Sequence, residues 1–294
     1  MRPGVDPFTR RTPRVVAARR LQRRADRDGT GLFLAEGPQA VREALAVPGC
    51  VTELFATAEA FERHPDLIAA AQADGAAPRR GHPRAGGAPP PRGQAPVVSL
   101  VTDDGLAALA ETVTPQGVVA VCRHLDVALS EALTRRPRLV AVLAGVRDPG
   151  NAGTVLRTAD AAGAGAVVFA GESVDPYNGK CVRASAGSLF HLDVVRAGDP
   201  AAVVTALRDS GMTVLAADGY GDQDLDTLAD DGALGVPTGW VFGSEAHGLP
   251  ADLADTTDAR VRVPIHGRAE SLNLAAAAAV CLYASARAHR RIAR

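Results

Sequence analysis

The stretch that decides the fold is LAGVRDPGNAGTVLR, which spans residues 143–157. It begins at the end of an apolar run, residues 138–145, whose length and valine and leucine content predict a buried strand. Turn-forming residues at 148–151 end this strand, and a helical pattern follows at once over 152–162. α/β sheets bind ligands where a strand ends and a helix begins. Asn151 and Arg157 are therefore candidate functional residues, and a solvated helix face is the alternative reading of this spacing.

Length and composition indicate a water-soluble chain of one large domain or two ordinary ones. The chain has 294 residues, of which 47% are hydrophobic, and none of its apolar runs is long enough to span a bilayer. The four cysteines, at 50, 122, 181 and 281, form no Cys-x-x-Cys pair, so neither a metal site nor a disulfide framework is expected. We therefore expect a cytoplasmic protein with no membrane segment and no metal.

The distribution of charge is more informative than the net charge of −1. Residues 1–30 hold nine arginines against three aspartates, and four more arginines lie in the last eight residues. Lys180 is the only lysine, a bias that genomic base composition explains. Such a bias does not explain why arginine clusters at both ends of the chain. Clusters of this kind fit a polyanion such as RNA, because the guanidinium fork matches phosphate geometry.

Two α/β halves follow one another along the chain. The pattern predicts one amphipathic helix with a basic face over 13–28, then strands and helices that alternate in both halves. It also predicts a solvated acidic loop over 218–231 and a closing helix over 271–290, with Ser271 as a candidate N-cap. The predicted domain limits are 1–123 for an N-terminal domain with a disordered insertion at about 76–95, 124–138 for a linker, and 139–294 for the C-terminal domain.

Two further segments place polar residues where a strand ends. Residues 240–250 run from an apolar strand into Gly243-Ser244-Glu245, and residues 261–273 run from a strand through a proline to Ser271 and Asn273. Nucleotide folds are disfavoured because the chain has no spaced-glycine fingerprint and no phosphate-binding loop. His191, His247 and His266 show no metal-ligand spacing.

These three segments, in this order, resemble the motifs of the SpoU (TrmH-like) RNA 2′-O-ribose methyltransferases of the SPOUT class. The resemblance covers roughly residues 139–290 and rests on Asn151-x-Gly-x-x-x-Arg157, on Gly243-Ser244-Glu245, and on 263–265 with 271–273. The N-terminal half, with its segments at 32–37 and 114–118, is similar to the ribosomal-protein-like (L30e-like) substrate-binding domain of the rRNA-directed members. The insertion departs from that family's pattern.

The resemblance implies an α/β fold with a deep trefoil knot in the C-terminal domain, an exception to the usual absence of knots. It also implies a homodimer with S-adenosyl-L-methionine bound in the knot, whose loops would be 217–219, 243–245 and 263–272. A glycine at 243 is expected to let the backbone approach the cofactor closely. The cofactor-binding residues that the resemblance implies are Ala217, Gly243, Ser244, Val263, Ile265 and Leu272.

The same resemblance makes Arg157 the catalytic candidate. Its guanidinium is too basic to act as a general base, so we expect it to grip the adjacent phosphate and stabilise the developing alkoxide. Asn151, Glu245, Ser271 and Asn273 would orient Arg157 and the ribose. RNA would be held by the arginines of the first helix, namely Arg14, Arg19, Arg20, Arg23 and Arg24.

The function expected from the sequence is S-adenosylmethionine-dependent 2′-O-ribose methylation of RNA, with 23S rRNA as the expected substrate. Three alternatives remain at this point. A tRNA methyltransferase is disfavoured by the N-terminal domain, and a non-catalytic ribosome-assembly factor is disfavoured by the intact motifs. A small-molecule oxidoreductase lacks the glycine loop that its cofactor needs.

Overall fold

The computed structural model describes residues 6–72 and 95–292, which divide by their contacts into two compact units. One unit runs up to Leu125 and also contains Tyr177–His191, and the other contains Asp126–Pro176 and the chain from Leu192 onward. The insertion predicted at about 76–95 falls outside the described residues. The family-domain limits predicted from the sequence stay a prediction, although contacts group Tyr177–His191 with the first unit.

The first unit contains a four-stranded mixed sheet in the order β1-β4-β2-β3, in which only β2 and β3 run parallel. Its strands are β1 (Leu32–Glu36), β2 (Val51–Ala56), β3 (Val97–Leu100) and β4 (Val118–Arg123). Its helices up to Leu125 are α1 (Pro13–Arg20), α2 (Arg24–Thr30), α3 (Pro38–Ala46), α4 (Ala58–Arg63), α5 (Pro65–Gln72) and α6 (Asp103–Leu109).

The single helix predicted over 13–28 is wrong, because the chain breaks between α1 and α2. Arg27, counted in the sequence as part of the basic end, is only 3% exposed. Its guanidinium donates to the carbonyl oxygens of Leu21 and Gln22 at 2.9 and 3.0 Å, and these are the residues at which the first helix ends. A buried arginine that binds freed helix-end carbonyls stabilises the break, since those carbonyls have no partner within a helix.

Tyr177–His191 belongs to the first unit through packing and ion pairs. This segment contains α9 (Gly179–Ala184) and a short 3₁₀ helix, Ser188–Phe190. The ring of Tyr177 is buried against Phe33, with ring centroids 4.6 Å apart. Arg183 forms an ion pair with Glu36 at 3.3 Å. The apolar contact and the partly buried ion pair together explain why the segment clusters with β1.

The second unit is built on a seven-stranded parallel sheet in the order β7-β6-β5-β10-β8-β11-β9. Its strands are β5 (Leu139–Ala144), β6 (Ala166–Ala170), β7 (Asp193–Ala197), β8 (Thr213–Ala217), β9 (Gln223–Asp224), β10 (Thr238–Phe242) and β11 (Ala259–Arg262). Its helices are α7 (Leu129–Thr134), α8 (Pro149–Ala162), α10 (Pro200–Asp209), α11 (Leu225–Asp230), α12 (Ala251–Ala254) and α13 (Leu274–Ile292), with a 3₁₀ helix at Ala233–Gly235.

The central strands of this sheet are buried on both faces, as their unbroken apolar sequences predict. α13 packs against α8 and contacts β10. The buried indole of Trp240 donates to Ser285 Oγ at 2.9 Å, which satisfies both polar groups inside the core. α7 lies inside the predicted linker and buries Ala132 in the core of this unit.

The acidic loop predicted over 218–231 is partly wrong, because this segment contains β9 and α11. Asp224 ends β9 and caps α11, since its Oδ1 accepts from the backbone N–H of Asp226 at 3.0 Å. Aspartate is a favoured N-cap, so the acidic composition that suggested a loop also starts a helix. No helix within the described residues is long and apolar enough to cross a membrane.

Candidate active site

The sheet of the second unit brings the three sequence motifs together. β5 and β10 are adjacent and parallel, so the loop after Ala144 and the loop after Phe242 lie at the same edge. β8 and β11 continue the sheet beyond β10, which adds the loops after Ala217 and Arg262 to that edge. The carboxyl edge of a parallel sheet is where α/β folds bind ligands.

Three predicted catalytic residues form a continuous chain of hydrogen bonds at this edge. Asn273 donates from Nδ2 to Oδ1 of Asn151 at 3.1 Å. Asn151 donates in turn from Nδ2 to Oε1 of Glu245, also at 3.1 Å. The chain runs in one direction from amide to amide to carboxylate, so it fixes the orientation of both amides.

Glu245 also binds the backbone of the loop that precedes α8. Its two carboxylate oxygens accept from the backbone N–H groups of Arg147 at 3.3 Å and Asp148 at 3.2 Å. Partial burial raises the pKa of Glu245, but the hydrogen bonds from Asn151 and from these N–H groups outweigh it, so the pKa lies below its usual value of 4.5. Glu245 is therefore an ionised acceptor that holds the loop between β5 and α8.

Arg157 and Ser271 lie outside this hydrogen-bonded chain. Arg157 is exposed on α8, and within residues 6–72 and 95–292 its guanidinium has no hydrogen bond or ion pair. Ser271 is exposed and makes no hydrogen bond with any described residue. The expectation that the amide residues orient Arg157 directly is therefore not seen in these contacts, and its side chain is available to a ligand.

The start of the closing helix differs from the prediction. α13 begins at Leu274, and Asn273 is its N-cap, since Asn273 Oδ1 accepts from the backbone N–H of Ala275 at 2.9 Å. Ser271, the predicted cap, lies two residues before Asn273. Asparagine and serine cap helices equally well, so the sequence could not separate them. Asn273 therefore caps α13 through its oxygen and binds Asn151 through its nitrogen.

The six predicted cofactor-binding residues lie at or beyond the carboxyl ends of three neighbouring strands: Ala217 is the last residue of β8, Gly243 and Ser244 follow β10, and Val263, Ile265 and Leu272 follow β11. Ile265 and Leu272 are 38% and 39% exposed, so both apolar side chains are accessible to a ligand. Accessible apolar side chains in loops with polar backbone groups suit an adenosyl group, which presents an aromatic face and a hydrogen-bonding edge.

The structure gives the glycine at 243 a second reason, separate from the expected close approach of the cofactor. A Cβ atom at this position would overlap the backbone carbonyl of Gly248, so the loop itself excludes a side chain. Ser244 and Gly248 exchange backbone hydrogen bonds of 2.9 and 3.0 Å, which close this tight loop. The glycine is needed for the shape of the loop even without a bound cofactor.

Sequence reasoning missed the pair formed by Asp218 and Arg260. Arg260 donates from Nε and from one terminal nitrogen to Asp218 Oδ2, at 3.0 and 2.7 Å. Burial raises the pKa of Asp218, but hydrogen bonds from the N–H of Tyr220 and from the Arg260 guanidinium lower it by more. The pKa of Asp218 therefore lies below its usual value. This pair fixes the loop after β8 to β11. In the sequence, the only sign of this pair is that Asp218 follows one strand and Arg260 lies on another. That placement alone does not show that the two residues are in contact.

The predicted RNA-binding arginines lie in the first unit on α1, on α2 and in the turn between them. Arg14, Arg19, Arg20, Arg23 and Arg24 are all exposed. Two of them have acidic partners: Arg14 pairs with Glu53 at 2.9 Å, and Arg24 pairs with Asp28 at 3.5 Å. Arg19, Arg20 and Arg23 make no ion pair within the described residues, so they are the better candidates for phosphate contacts.

Comparison with known proteins identifies the class to which this fold and site belong. Residues 138–283 match the SpoU rRNA Methylase family, and residues 12–120 match the MRM3-like substrate binding domain. The chain belongs to the SpoU family of RNA methylases, as its three motifs predicted.

Curated relatives carry more specific names. Over 152 residues the chain is 41% identical to the 23S rRNA (guanosine(2553)-2′-O)-methyltransferase RlmP of Bacillus subtilis, a match that covers 50% of this chain and 57% of that protein. It is 39% identical to the 23S rRNA (uridine(2479)-2′-O)-methyltransferase of Streptomyces viridochromogenes over 47% of this chain and 49% of that protein. The chain thus spans about half the length of these curated relatives.

Solved structures match almost the whole chain. An rRNA methyltransferase from Sinorhizobium meliloti superposes with a TM-score of 0.78 and 28% identity, covering 96% of this chain and 97% of that one. The SpoU methyltransferase AviRb from Streptomyces viridochromogenes, in complex with the cofactor AdoMet, gives a TM-score of 0.74 and 29% identity over 96% of this chain and all of that one.

Proposed function

We propose that this chain is an S-adenosylmethionine-dependent 2′-O-ribose methyltransferase that acts on 23S rRNA in the cytoplasm. The observation that carries the proposal is the hydrogen-bonded chain Asn273–Asn151–Glu245 at the carboxyl edge of a parallel sheet. The helix that carries Asn151 also carries Arg157, which is exposed and has no ion pair among the described residues. The names of the relatives supply the reaction and the RNA, and the site supplies groups suited to both.

The cofactor would be held by the loops after β8, β10 and β11. Backbone groups near Ala217, Gly243 and Val263 would bind its polar edge, and the exposed side chains of Ile265 and Leu272 would cover its adenine ring. The same loops, 217–219, 243–245 and 263–272, would form the deep trefoil knot expected for the C-terminal domain. When bound, S-adenosylmethionine supplies an electrophilic methyl group.

Arg157 would act on the RNA. A permanently charged guanidinium can hold a phosphate through two parallel hydrogen bonds and can stabilise negative charge that develops on the ribose 2′-oxygen. It cannot take up the hydroxyl proton, because its pKa lies above about 12. Asn151 and Asn273 would orient the ribose from fixed amide positions, while Glu245 holds the loop from which α8 starts.

The first unit would bind RNA through the exposed arginines of α1 and α2 as an L30e-like substrate-binding domain. Arginine is well suited to this role because it pairs bidentately with phosphate oxygens. Arg19, Arg20 and Arg23 would make the strongest contribution, because no acidic side chain of the described residues competes for them.

A homodimer would complete the enzyme. α13 presents Val280 and Tyr283, which are 42% and 46% exposed and lie three residues apart on one helix face. This helix packs against α8, which carries Arg157. A second copy that covers the apolar stripe would bring a subunit interface close to the site, and Tyr283→Asp would then yield a monomer in sedimentation velocity.

The test is transfer of a labelled methyl group from S-adenosylmethionine to 23S rRNA and to assembled large subunits. We expect label in an alkali-resistant dinucleotide, and a fall of about 100-fold in rate for Arg157→Lys, because lysine cannot reproduce the guanidinium fork. The matched control Arg208→Lys, on α10, should keep the wild-type rate. Cofactor binding without label in either RNA would overturn the proposal, and full activity of Arg157→Lys would overturn the role of Arg157.

A further inference from the structure

The first unit contains a cavity of about 240 Å³ that none of the proposed roles uses. It lies where the ends of β2 and β3 meet the start of β4, since Ala56 pairs with both Leu100 and Val118. Its walls are α4, α6 and the segment 115–117. All of these belong to one compact unit, so the cavity is a property of that unit alone.

The walls of the cavity are held firmly. Thr57 donates its backbone N–H to the carbonyl of Gly117 at 3.0 Å and caps α4 with its hydroxyl at 3.2 Å. Gly117 has a φ of +84°, and a Cβ there would lie 2.7 Å from the Cβ of Ala60, so only glycine lets the loop press against α4. A cavity with fixed walls is preorganised for a ligand.

The polar groups that line the cavity limit the kind of ligand that it can bind. Asp103 and Gln116 line it from opposite elements, and neither side chain makes a hydrogen bond with any residue that the structure describes. Arg63 also lines it and is held by an ion pair with Glu59. Leu106, which is 3% exposed, and Pro115 add a small apolar surface. The cavity therefore offers an acceptor-only carboxylate, an amide, a planar guanidinium and an apolar wall.

This chemistry disfavours a phosphate of the RNA backbone as the occupant and favours a base. The lining holds two carboxylates, Glu59 and Asp103, and one guanidinium, Arg63, so it carries a surplus of one negative charge. The volume is smaller than the ~300–1,000 Å³ of sites for drug-sized ligands, which suits one heteroaromatic ring system. Proteins that read RNA take up unstacked bases in this way, by stacking and by contacts to the Watson–Crick edge.

Guanine matches these polar groups best. A carboxylate only accepts hydrogen bonds, and the Watson–Crick edge of guanine presents two adjacent donors, N1–H and N2–H, that both oxygens of Asp103 can take. The amide of Gln116 can donate to guanine O6. Adenine and cytosine offer one donor beside an acceptor, and uracil offers one donor, N3–H, between two carbonyl oxygens. Each of these bases would therefore leave one oxygen of Asp103 facing a lone pair.

The cavity lies one helix away from α1, because α6 contacts α1. α6 forms one of its walls, and the same helix is fixed to the segment that leads into α1. The backbone N–H of Thr102 donates to the carbonyl of Phe8 at 2.9 Å, and Arg10 pairs with Asp104 at 3.5 Å. An RNA strand whose phosphates lie on α1 would therefore run close to the mouth of the cavity.

We infer that this cavity is a guanine-reading site, in which the first unit takes up one unstacked guanine of its RNA. The inference rests on the proposed RNA substrate and adds a sequence-specific contact outside the methyl-transfer site. Asp103 reads the two donors of the base, Gln116 reads its carbonyl, and Arg63 with Leu106 enclose the ring.

The test uses the full chain and three adenosine decamers with guanosine, inosine or adenosine at the centre. Inosine lacks only the N2 amine, so its Kd reports one hydrogen bond. The wild type should bind the guanosine decamer about tenfold more tightly than the inosine one in fluorescence anisotropy.

Asp103→Asn should abolish this difference, and Asp104→Asn, one residue along the same helix turn, should keep it. Ala107→Trp, which fills the cavity, should weaken the guanosine decamer to the level of adenosine, and Ala70→Trp on α5 should not.

Equal binding of the guanosine and inosine decamers by the wild type would overturn the inference, and so would an equal effect of Asp103→Asn and Asp104→Asn. This binding assay does not involve methyl transfer. A guanosine preference without methylation of any ribosomal RNA would therefore count against the proposed function alone, while methylation without that preference would count against the guanine site alone.

Discussion

The amide nitrogen of Asn273 lies 3.1 Å from Oδ1 of Asn151, and the amide oxygen of the same Asn273 accepts the N–H of Ala275 at 2.9 Å. One side chain thus joins the N-terminus of α13 to the first turn of α8. The first sequence motif lies on α8, and the third ends where α13 begins. The relative position of these two motifs therefore depends on Asn273, which also caps α13. The two functions of Asn273 use different atoms and can be separated by mutation.

Asn273→Asp should separate them. A carboxylate caps a helix as well as an amide does and interacts favourably with the helix dipole, so the free energy of unfolding should change by less than about 0.5 kcal/mol. The new oxygen, however, faces Oδ1 of Asn151 where a donor stood, so methyl transfer should fall at least tenfold. Asn273→Ala should lose activity and also about 1 kcal/mol of stability, because the cap is gone. Urea unfolding and the transfer assay measure the two effects, and equal destabilisation of both variants would contradict this division.

Glu245→Gln should lower stability in a pH-dependent way. The glutamine side chain keeps one acceptor oxygen and turns an NH₂ group toward backbone N–H donors, which should cost about 1 kcal/mol at pH 7 at this exposed position. Because the pKa of Glu245 is lowered in the folded chain, the carboxylate contributes fully above its unfolded pKa and loses its contribution as pH falls through the folded pKa.

The difference in urea midpoint between wild type and Glu245→Gln should therefore be constant from neutral pH down to about pH 5 and should disappear at more acidic pH. Glu172→Gln is the matched control, since Glu172 pairs with the exposed side chain of Arg147 and accepts from no backbone N–H of the described residues. A difference that persists undiminished at pH 3 would show that the charge of Glu245 is not what holds the loop.

Gly243→Ala should destabilise the second unit even in the absence of cofactor. The new methyl group would overlap the carbonyl of Gly248 in a loop closed by two backbone hydrogen bonds, and relief requires a backbone shift that costs about 2–3 kcal/mol. Gly198→Ala, at a position with open space and no positive φ, should be neutral. A variant that keeps wild-type stability but loses cofactor affinity would instead favour the cofactor as the reason for the glycine.

The sequence predicted the strands of the second unit well, because their signal is local. β5 and β6 are unbroken apolar runs bounded by turn residues, and this pattern depends only on burial on both faces. Asn151 and Glu245 follow the adjacent parallel strands β5 and β10, and they are in contact as this position implies. Asn273 follows β11, which is separated from β10 by β8, and it reaches Asn151 from the start of α13. Resemblance to a family supplied the roles, which periodicity alone did not.

Other features depend on contacts between distant segments and could not be predicted. The break between α1 and α2 is stabilised by Arg27, whose burial is invisible in a sequence that reads as uniformly basic. The choice of Asn273 over Ser271 as the N-cap depends on where Asn151 lies. The cavity beside Asp103 arises where three separate segments meet, and no single segment carries a pattern that predicts it.

The arginines of the first helices should fall into two classes. Arg20→Gln and Arg23→Gln remove exposed charges without ion-pair partners among the described residues, so stability should stay within about 0.5 kcal/mol of wild type. RNA binding should weaken, and the slope of log Kd against log salt should fall by about 0.7 for each phosphate of a single strand that the variant no longer neutralises.

Arg27→Gln should behave in the opposite way, with unfolding of the first unit at lower urea concentration, because the carbonyls of Leu21 and Gln22 lose their donor. Its salt slope, measured on the folded fraction, should match wild type, and a reduced slope for Arg27→Gln would mean that this buried guanidinium reaches the RNA after all.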